Sequence, residues 1–156
     1  RGCDFIDAEE PVRPVDLDRA VSLANVEPGE GDIVIYRTGR HERRAALGPD
    51  CERYPDGRGH LPGLYADCLE WLHDRRVALI GSDCAHDMLP SPIEGEAIPI
   101  HVGTEVYMGM LLLHNLDLSG VRDACSRYGR HEFFFAISPL LVQGGTGSPV
   151  NPIAVF

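Results

Sequence analysis

The side chains best placed for chemistry follow three short apolar runs of this chain. Polar residues come directly after each run, at Thr38-Gly39-Arg40, at Ser82-Asp83 and at His114-Asn115. If the runs are strands of one sheet, these ends meet at its carboxyl edge, where open α/β proteins bind ligands. Asp83 would orient a histidine or line a pocket there, and a turn cap fits the pattern equally well. For His114, a plain hydrogen bond at the strand end is the alternative to a functional role.

Other reactive groups in the sequence fit structural roles better. His86-Asp87 looks like an acid–base pair, but neighbouring side chains point apart, so we predict a loop surface there. Cys84 follows Ser82-Asp83 without an assigned base, which favours a structural thiol. Thr146 and Ser148 lie among glycines, yet the sequence has neither a Gly-x-Ser-x-Gly elbow nor the lysine of a phosphate loop. We therefore predict a structural turn around them.

The elements that must position these residues alternate between helix and strand. Apolar spacing predicts helices over 14–25, 64–76, 101–109 and 119–128, and strands over 32–38, 77–81, 110–113, 133–137 and 152–156. The polar segment 39–62 reads as a long surface excursion with one short helix, and the proline-rich segment 88–99 as a loop. Helices that lead into apolar strands indicate an α/β domain with four or five strands. We expect one domain over residues 1–156.

Composition excludes some classes of partner. Acidic residues outnumber basic ones by 24 to 14, and the formal charge of −10 argues against nucleic acid. All the basic residues are arginine, and the cluster of Arg40, Arg43 and Arg44 is expected to be a solvated surface, with anion binding as the alternative. No apolar run is long enough to span a bilayer and no signal-peptide pattern opens the chain, so we expect a soluble protein.

The five cysteines are widely spaced and form no Cys-x-x-Cys pair. An odd number at such spacing indicates reduced thiols and a cytoplasmic protein. Cys68 and Cys125 lie in amphipathic stretches, so we predict that both are small core residues.

The last stretch of the chain is its most distinctive motif. Two apolar runs flank Gly144-Gly145-Thr146-Gly147-Ser148-Pro149-Val150. Together with Gly81-Ser82-Asp83, His101 and Asn115-Leu116-Asp117-Leu118, this ending resembles the carboxy-terminal half of the cyclase family, which includes bacterial kynurenine formamidases and isatin hydrolases. The family's metal signature, His-x-Gly-Thr-His-x-Asp-x-Pro-x-His, normally lies upstream and matches no segment here. Since the chain also begins with Arg1, we expect it to be the carboxy-terminal portion of a cyclase-like domain.

The resemblance implies a swivelling β/β/α fold with a mixed sheet, and a metal-dependent hydrolase. Its most familiar activity is that of an arylformamidase, which cleaves N-formylkynurenine to kynurenine and formate in tryptophan breakdown. The implied cofactor is a divalent metal, zinc or manganese, with its main ligands upstream of this chain. The implied partners are a small-molecule substrate and a second copy in a homodimer, with no nucleic acid and no membrane.

The resemblance also assigns residues. In the family, a histidine after an apolar-Pro-apolar lead lies at the active site and can ligate metal, and Ile98-Pro99-Ile100-His101 matches that lead. A glutamate follows about 13 residues later in the family, but here that position is His114. Imidazole can ligate zinc or manganese but cannot bridge two metals as a carboxylate does, so one metal or a role in proton transfer is implied. The predicted catalytic residues are His101 and Asp83, and the predicted metal ligands are His101 and His114.

Two alternatives remain open at this point. The missing metal signature and the replacement of the glutamate by His114 favour a non-catalytic binding module or a partner subunit of an incomplete enzyme. Within the enzyme class, a lactonase or a cyclic-amide hydrolase competes with the arylformamidase, because no residue selects among these substrates.

Overall fold

A three-stranded parallel sheet positions the candidate site. The computed structural model describes residues 2–156 and divides the chain into two compact units, 1–118 and 119–156. The helices and strands of the first unit are α1 (Pro14–Ala24), β1 (Ile33–Tyr36), α2 (Arg40–Leu47), α3 (Cys68–Asp74), β2 (Leu79–Ser82), α4 (Pro99–His101) and β3 (Leu111–Leu113). A 3₁₀ turn spans Pro49–Glu52 and a π-helix spans Val102–Met108. The division into units leaves the single domain over 1–156 a prediction.

The sheet order is β1-β2-β3, with β2 in the centre. Tyr36 lies opposite Ser82, and Gly81 lies opposite Leu113, so all three strands end at the same edge. All four residues of β2 are buried, as expected for a central parallel strand covered on both faces. The register therefore brings the residues that follow the three strands together.

An apolar core lies between the helices and this sheet. Leu72 and Trp71 of α3 pack with Ile80 of β2 and with Ile100 of α4, and all four residues are buried. The Trp71 indole N–H donates a 2.7 Å hydrogen bond to Asp18 Oδ1 of α1, so its polar atom is satisfied at the rim of the core. The core thus fixes α4, and with it His101, against the strand that leads to Asp83.

The predicted helix over 101–109 is irregular. Pro99 occupies the first position of α4, where its missing N–H is harmless. After His101 the chain continues as the π-helix and stops at Gly109, which adopts a left-handed φ of 67°. A π-turn inside a helix is rare and is commonly found at functional sites.

The segment 39–62 contains more structure than a surface excursion. It forms α2 and the 3₁₀ turn, and its end pairs with the predicted loop 88–99 through an antiparallel bridge of Leu61 with Leu89. The expectation of a solvated arginine cluster is wrong for Arg43, which is 3% exposed. Its guanidinium donates to the Cys51 carbonyl at 2.9 Å and to Asp7 Oδ1 at 3.3 Å.

Among residues 2–156, no helix is long and apolar enough to cross a membrane.

The second unit consists of α5 (Ser119–Tyr128) and an antiparallel pair, β4 (Phe134–Ala136) and β5 (Ile153–Val155). Its aromatic cluster joins Phe133 to Phe156 at 4.8 Å and Tyr128 to Phe156 at 5.8 Å between ring centroids. The predicted turn is present: Ser148 Oγ accepts a 3.0 Å hydrogen bond from the Leu140 N–H. Phe134, in contrast, is 70% exposed.

Candidate functional site

The three strand ends meet, as the sequence predicts. The Asn115 N–H donates to the Cys84 carbonyl at 3.2 Å, and the Leu116 N–H donates to the Ser82 carbonyl at 3.0 Å, which ties the end of β3 to the end of β2. The guanidinium of Arg40, which follows β1, donates to Asn115 Oδ1. Hydrogen bonds therefore join the segments that follow the three strands.

Asp83 lies beneath this edge and is 1% exposed. Its carboxylate accepts hydrogen bonds from the Thr38 N–H at 2.8 Å, the Thr38 hydroxyl at 2.9 Å, the Gly39 N–H at 2.8 Å and the Arg40 N–H at 3.0 Å. These donors fix the backbone between β1 and α2, so the carboxylate orients the loop that carries Arg40. Within the described residues, these hydrogen bonds of the Asp83 carboxylate include none to a histidine ring, and its catalytic role stays a prediction.

His101 is held by a second buried carboxylate, that of Asp87, which is 2% exposed. Asp87 accepts hydrogen bonds from the Ile100 N–H at 2.7 Å, from the His101 N–H at 3.4 Å and from His101 Nδ1. Because a carboxylate oxygen accepts, Nδ1 is the protonated nitrogen of this contact and Nε2 keeps its lone pair in the neutral ring. An imidazole held this way is ready to bind a cation or to accept a proton at Nε2.

His114 stands next to His101 on the same edge. Their ring centroids lie 4.8 Å apart, and the His114 ring lies 5.0 Å from that of His86. We call these three residues the histidine cluster. Partial desolvation of the ring lowers the pKa of His114, and the neighbouring His101 lowers it further. The residue as a whole remains exposed, so a small molecule can reach it.

His86 completes the cluster from beneath and is fully buried, so the prediction of a loop surface at His86 and Asp87 is wrong. Its Nε2 lies 3.0 Å from the Leu113 carbonyl, which only accepts, so Nε2 carries the proton. Its Nδ1 therefore accepts from the Tyr36 hydroxyl at 2.9 Å. Burial lowers the pKa of His86 to about 3, so the ring stays neutral. With both nitrogens engaged, His86 supports the end of β3 and leaves metal binding to its neighbours.

The sequence offered one usable signal for His86 and Asp87, their position just after a buried strand. As expected for neighbouring residues, the side chains of His86 and Asp87 point apart. One is directed toward Tyr36 and β3, and the other toward α4. The sequence did not reveal that both side chains point into the candidate site. His86 adopts a left-handed φ of 67°, a conformation that non-glycine residues rarely take and that concentrates at functional sites.

Arg40 adds a cation to the edge, and Glu52 pairs with it. The Arg40 Nη2 donates to Glu52 Oε2 at 3.0 Å, and the Arg40 Nε donates to the other oxygen of the same carboxylate. The hydrogen bond from Arg40 lowers the pKa of Glu52. Arg40 is thus half-buried and paired, in contrast to the expected solvated surface.

Cys84 fits the structural role predicted for it. The residue is 0% exposed, and burial raises the pKa of its thiol. Its sulfur lies 3.2 Å from the Ser82 hydroxyl, and the nearby His86 has no free nitrogen with which to act as a base. A buried, protonated thiol without a base is a poor nucleophile.

The imidazole nitrogens of His101 and His114 fit part of a metal centre. His101 and His114 present two imidazoles close together, and imidazole suits zinc and manganese. Within residues 2–156, no group of three or more His, Cys, Asp or Glu side chains is arranged to hold a metal ion. A complete centre would therefore need at least one ligand besides these two.

Fold and site together define an α/β protein with a histidine cluster at the carboxyl edge of its parallel sheet. The chain belongs to the Cyclase family: the family model described as "Putative cyclase" matches residues 4–86, which are 83 of the 156 residues. A comparison with curated proteins finds no significant match.

Solved structures share the fold. A novel cyclase is 27% identical with a TM-score of 0.73, and the match covers 99% of this chain and 49% of that one. An isatin hydrolase bound to the product analogue thioisatinate is 21% identical with a TM-score of 0.73, covering 95% and 53%. A chain described as a potential metal-dependent hydrolase with cyclase activity is 17% identical with a TM-score of 0.56, covering 92% and 57%. The chain spans about half the length of the structures it matches.

Proposed function

We propose that this chain forms part of the active site of a metal-dependent amide hydrolase of the arylformamidase type, which cleaves N-formylkynurenine to kynurenine and formate. The observation that supports this most strongly is the pairing of His101 with the buried carboxylate of Asp87, with the exposed His114 ring 4.8 Å away. This arrangement offers a lone pair on a fixed imidazole beside a second, accessible imidazole.

His101 and His114 would hold a divalent metal, zinc or manganese, through ring nitrogens. The remaining ligands would come from residues outside 2–156, in a longer form of the chain or in a partner subunit. A divalent cation in such a centre supplies Lewis acidity toward an amide carbonyl and toward water. The carboxylate behind His101 keeps the ring oriented and makes its nitrogen a better donor.

Proton transfer to the leaving nitrogen is the other task of an amide hydrolase. His114 is suited to it because its lowered pKa leaves the ring neutral near pH 7, able to accept a proton and return it. Its exposure places it within reach of a substrate, which the buried His86 is not. His114 would not bind the metal and transfer protons at the same time. If His101 alone binds the metal, His114 is the residue that transfers the proton.

A second candidate substrate is a cyclic amide. The solved isatin hydrolase shares the fold of this chain, and isatin contains an amide within a ring. Opening a ring amide and removing a formyl group both require attack by water on a carbonyl and protonation of a nitrogen, so the same residues serve either reaction. A lactone would need no protonated nitrogen and is the third candidate.

The non-catalytic binding module keeps one observation in its favour. Among the described residues 2–156 the histidine cluster provides two free imidazoles rather than a three-ligand set. In that case the exposed edge around His114 and Asn115 would bind a small aromatic or acyl ligand without turnover.

The deciding experiment treats the protein with a chelator, restores zinc or manganese, and follows hydrolysis of N-formylkynurenine, isatin and a simple lactone. Metal-restored cleavage of N-formylkynurenine that disappears in His101→Ala supports the proposal, and preference for isatin moves it to the cyclic amide. The protein is tested in its longer form or together with the partner subunit, so that the remaining ligands are present. If it is folded but binds no metal and hydrolyses none of the three substrates, the enzyme proposal is contradicted and the binding module remains. The proposed homodimer is tested in the same preparation by light scattering.

A further inference from the structure

We propose that Asp87 is a positioning residue that keeps the proton of His101 on Nδ1 and thereby frees Nε2. The value of a free Nε2 for metal binding or proton transfer rests on the proposed function. The tautomer itself follows from the contacts around the carboxylate.

The first step concerns the orientation of the carboxylate. Its Oδ1 accepts from the Ile100 N–H at 2.7 Å, and its Oδ2 accepts from the His101 N–H at 3.4 Å and from the ring. Backbone amides can only donate, so they hold both oxygens as acceptors toward α4. The ring nitrogen that meets Oδ2 must then carry a proton.

The second step concerns the helix that carries the histidine. Ile100 and His101 follow Pro99 in the first turn of α4, where backbone N–H groups have no partner within the helix. Asp87 supplies that partner from a distant segment, as an N-cap residue would from the preceding position. The same carboxylate binds the backbone N–H and the ring of His101. Both the backbone and the ring of this residue are therefore held in place.

The third step concerns the rigidity of Asp87. Gly63 packs so closely against it that an added Cβ would lie 2.3 Å from the Asp87 carbonyl carbon and 2.3 Å from the Met88 nitrogen. The Leu64 N–H donates to the His86 carbonyl at 2.7 Å, and Leu64 forms a parallel bridge with Asp87. The backbone of Asp87 is thus fixed by the segment beside it, independently of α4.

The fourth step is a contrast within the histidine cluster. His86 carries its proton on Nε2, because that nitrogen faces the Leu113 carbonyl. His101 carries its proton on Nδ1, because that nitrogen faces a carboxylate. The two rings on either side of His114 therefore have opposite tautomers, each set by the group opposite one nitrogen.

The test is long-range ¹H–¹⁵N NMR of the histidine rings at alkaline pH, where the rings are neutral. We expect His101 to show a protonated Nδ1 and an unprotonated Nε2, and His86 to show the reverse. In Asp87→Asn the amide oxygen stays with the Ile100 N–H, so the NH₂ group faces Nδ1. A donor in that place moves the proton of His101 to Nε2, and the His86 spectrum stays unchanged.

Asp83→Asn is the matched control, since it also removes a buried carboxylate that follows β2 and accepts several N–H groups, but from the β1–α2 loop. It should leave the His101 tautomer as in the wild type. A wild-type spectrum with the proton of His101 on Nε2 overturns the proposal, even if Asp87→Asn does not fold. An Asp87→Asn spectrum identical to wild type overturns it too.

Zinc titration separates this proposal from the proposed function. If Zn²⁺ binds at the cluster, Asp87→Asn should weaken it about 10–100-fold, the range for loss of a carboxylate behind a metal-binding histidine. If the wild-type protein binds no Zn²⁺ but shows the expected tautomers, the metal proposal fails and the positioning role stands.

Discussion

Asp87 and His101 are joined through both the backbone and the side chain of the histidine. One carboxylate oxygen accepts from the His101 N–H at 3.4 Å and from its ring Nδ1. The histidine can therefore neither rotate its ring nor shift its helix without breaking a contact to the same group. Fixed geometry of this kind is what a catalytic or metal-binding imidazole needs.

Gly63→Ala should disturb this arrangement while leaving Asp87 and His101 themselves unsubstituted. The new Cβ would meet the backbone of Asp87 and Met88 at 2.3 Å, so the loop must move. We expect a loss of about 1–3 kcal/mol in the free energy of unfolding, measured by urea denaturation, together with the changed His101 tautomer. Gly120→Ala is the control, because an added Cβ there meets nothing within 4 Å. Equal stability of the two variants would contradict the close packing.

His114→Ala and His114→Glu test the second imidazole. Removal of a ligand should weaken Zn²⁺ binding at least about tenfold, since even loss of a group behind a ligand has that effect. Glutamate can also ligate zinc and should restore most of the affinity. His73→Ala, which changes an exposed histidine of α3, is the control. Calorimetric titration of Zn²⁺ measures all three, and an unchanged affinity in His114→Ala would exclude this residue as a ligand.

Asp83→Asn should weaken the fold. The change leaves buried N–H groups of Thr38, Gly39 and Arg40 competing for a single acceptor oxygen. Unsatisfied buried donors cost about 1–3 kcal/mol each, so we expect the urea midpoint to fall clearly. Asp74→Asn, at an exposed position, should change it little. If Asp83→Asn keeps full stability but loses activity, the catalytic role predicted for Asp83 gains support.

Tyr36→Phe should destabilise the histidine cluster from beneath. The change removes the hydroxyl that donates to His86 Nδ1 at 2.9 Å and leaves a buried ring nitrogen without a partner. We expect a loss of about 1–3 kcal/mol in thermal or urea unfolding. Tyr107→Phe removes the hydroxyl of a tyrosine that is 82% exposed and should be neutral. A neutral Tyr36→Phe would contradict the assigned tautomer of His86.

The buried thiol of Cys68 should make the folded protein less stable at alkaline pH. Burial raises the pKa of its thiol from 9.0 to about 12, and the thiol donates to the Val12 carbonyl at 3.2 Å. Between pH 9 and 12 the unfolded chain releases this proton and the folded chain keeps it. The unfolded state then binds fewer protons, so stability falls as pH rises, by up to about 1.4 kcal/mol per pH unit.

Cys68→Ser keeps a hydroxyl donor but has no group that titrates in this range. Urea denaturation on either side of pH 9 should show a smaller alkaline loss in Cys68→Ser than in the wild type. Cys3→Ser changes an exposed thiol and should follow the wild type. Identical pH dependence in all three proteins would show that the Cys68 thiol does not contribute.

Local patterns were enough to predict most elements and the edge where the site lies. An apolar β-branched run predicts β1, and an apolar run entered directly from a helix predicts β2. Because parallel strands end at one edge, the meeting of Arg40, Asp83 and Asn115 followed from those strands alone. The family was predicted from short motifs in order, and the match over residues 4–86 confirms the family, although only Gly81-Ser82-Asp83 of those motifs lies within the match. The roles of His101, His114 and Asp83 stay predictions.

Only the tertiary structure decided which carboxylate serves which partner. Asp83 and Asp87 both follow β2 within five residues, and the sequence alone favoured the first as the functional one. The fold directs Asp83 to the loop after β1 and Asp87 to the start of α4, because the left-handed backbone at His86 turns the chain between them. A pattern of residue types reports which face is apolar, but it carries no information on a partner 14 residues away.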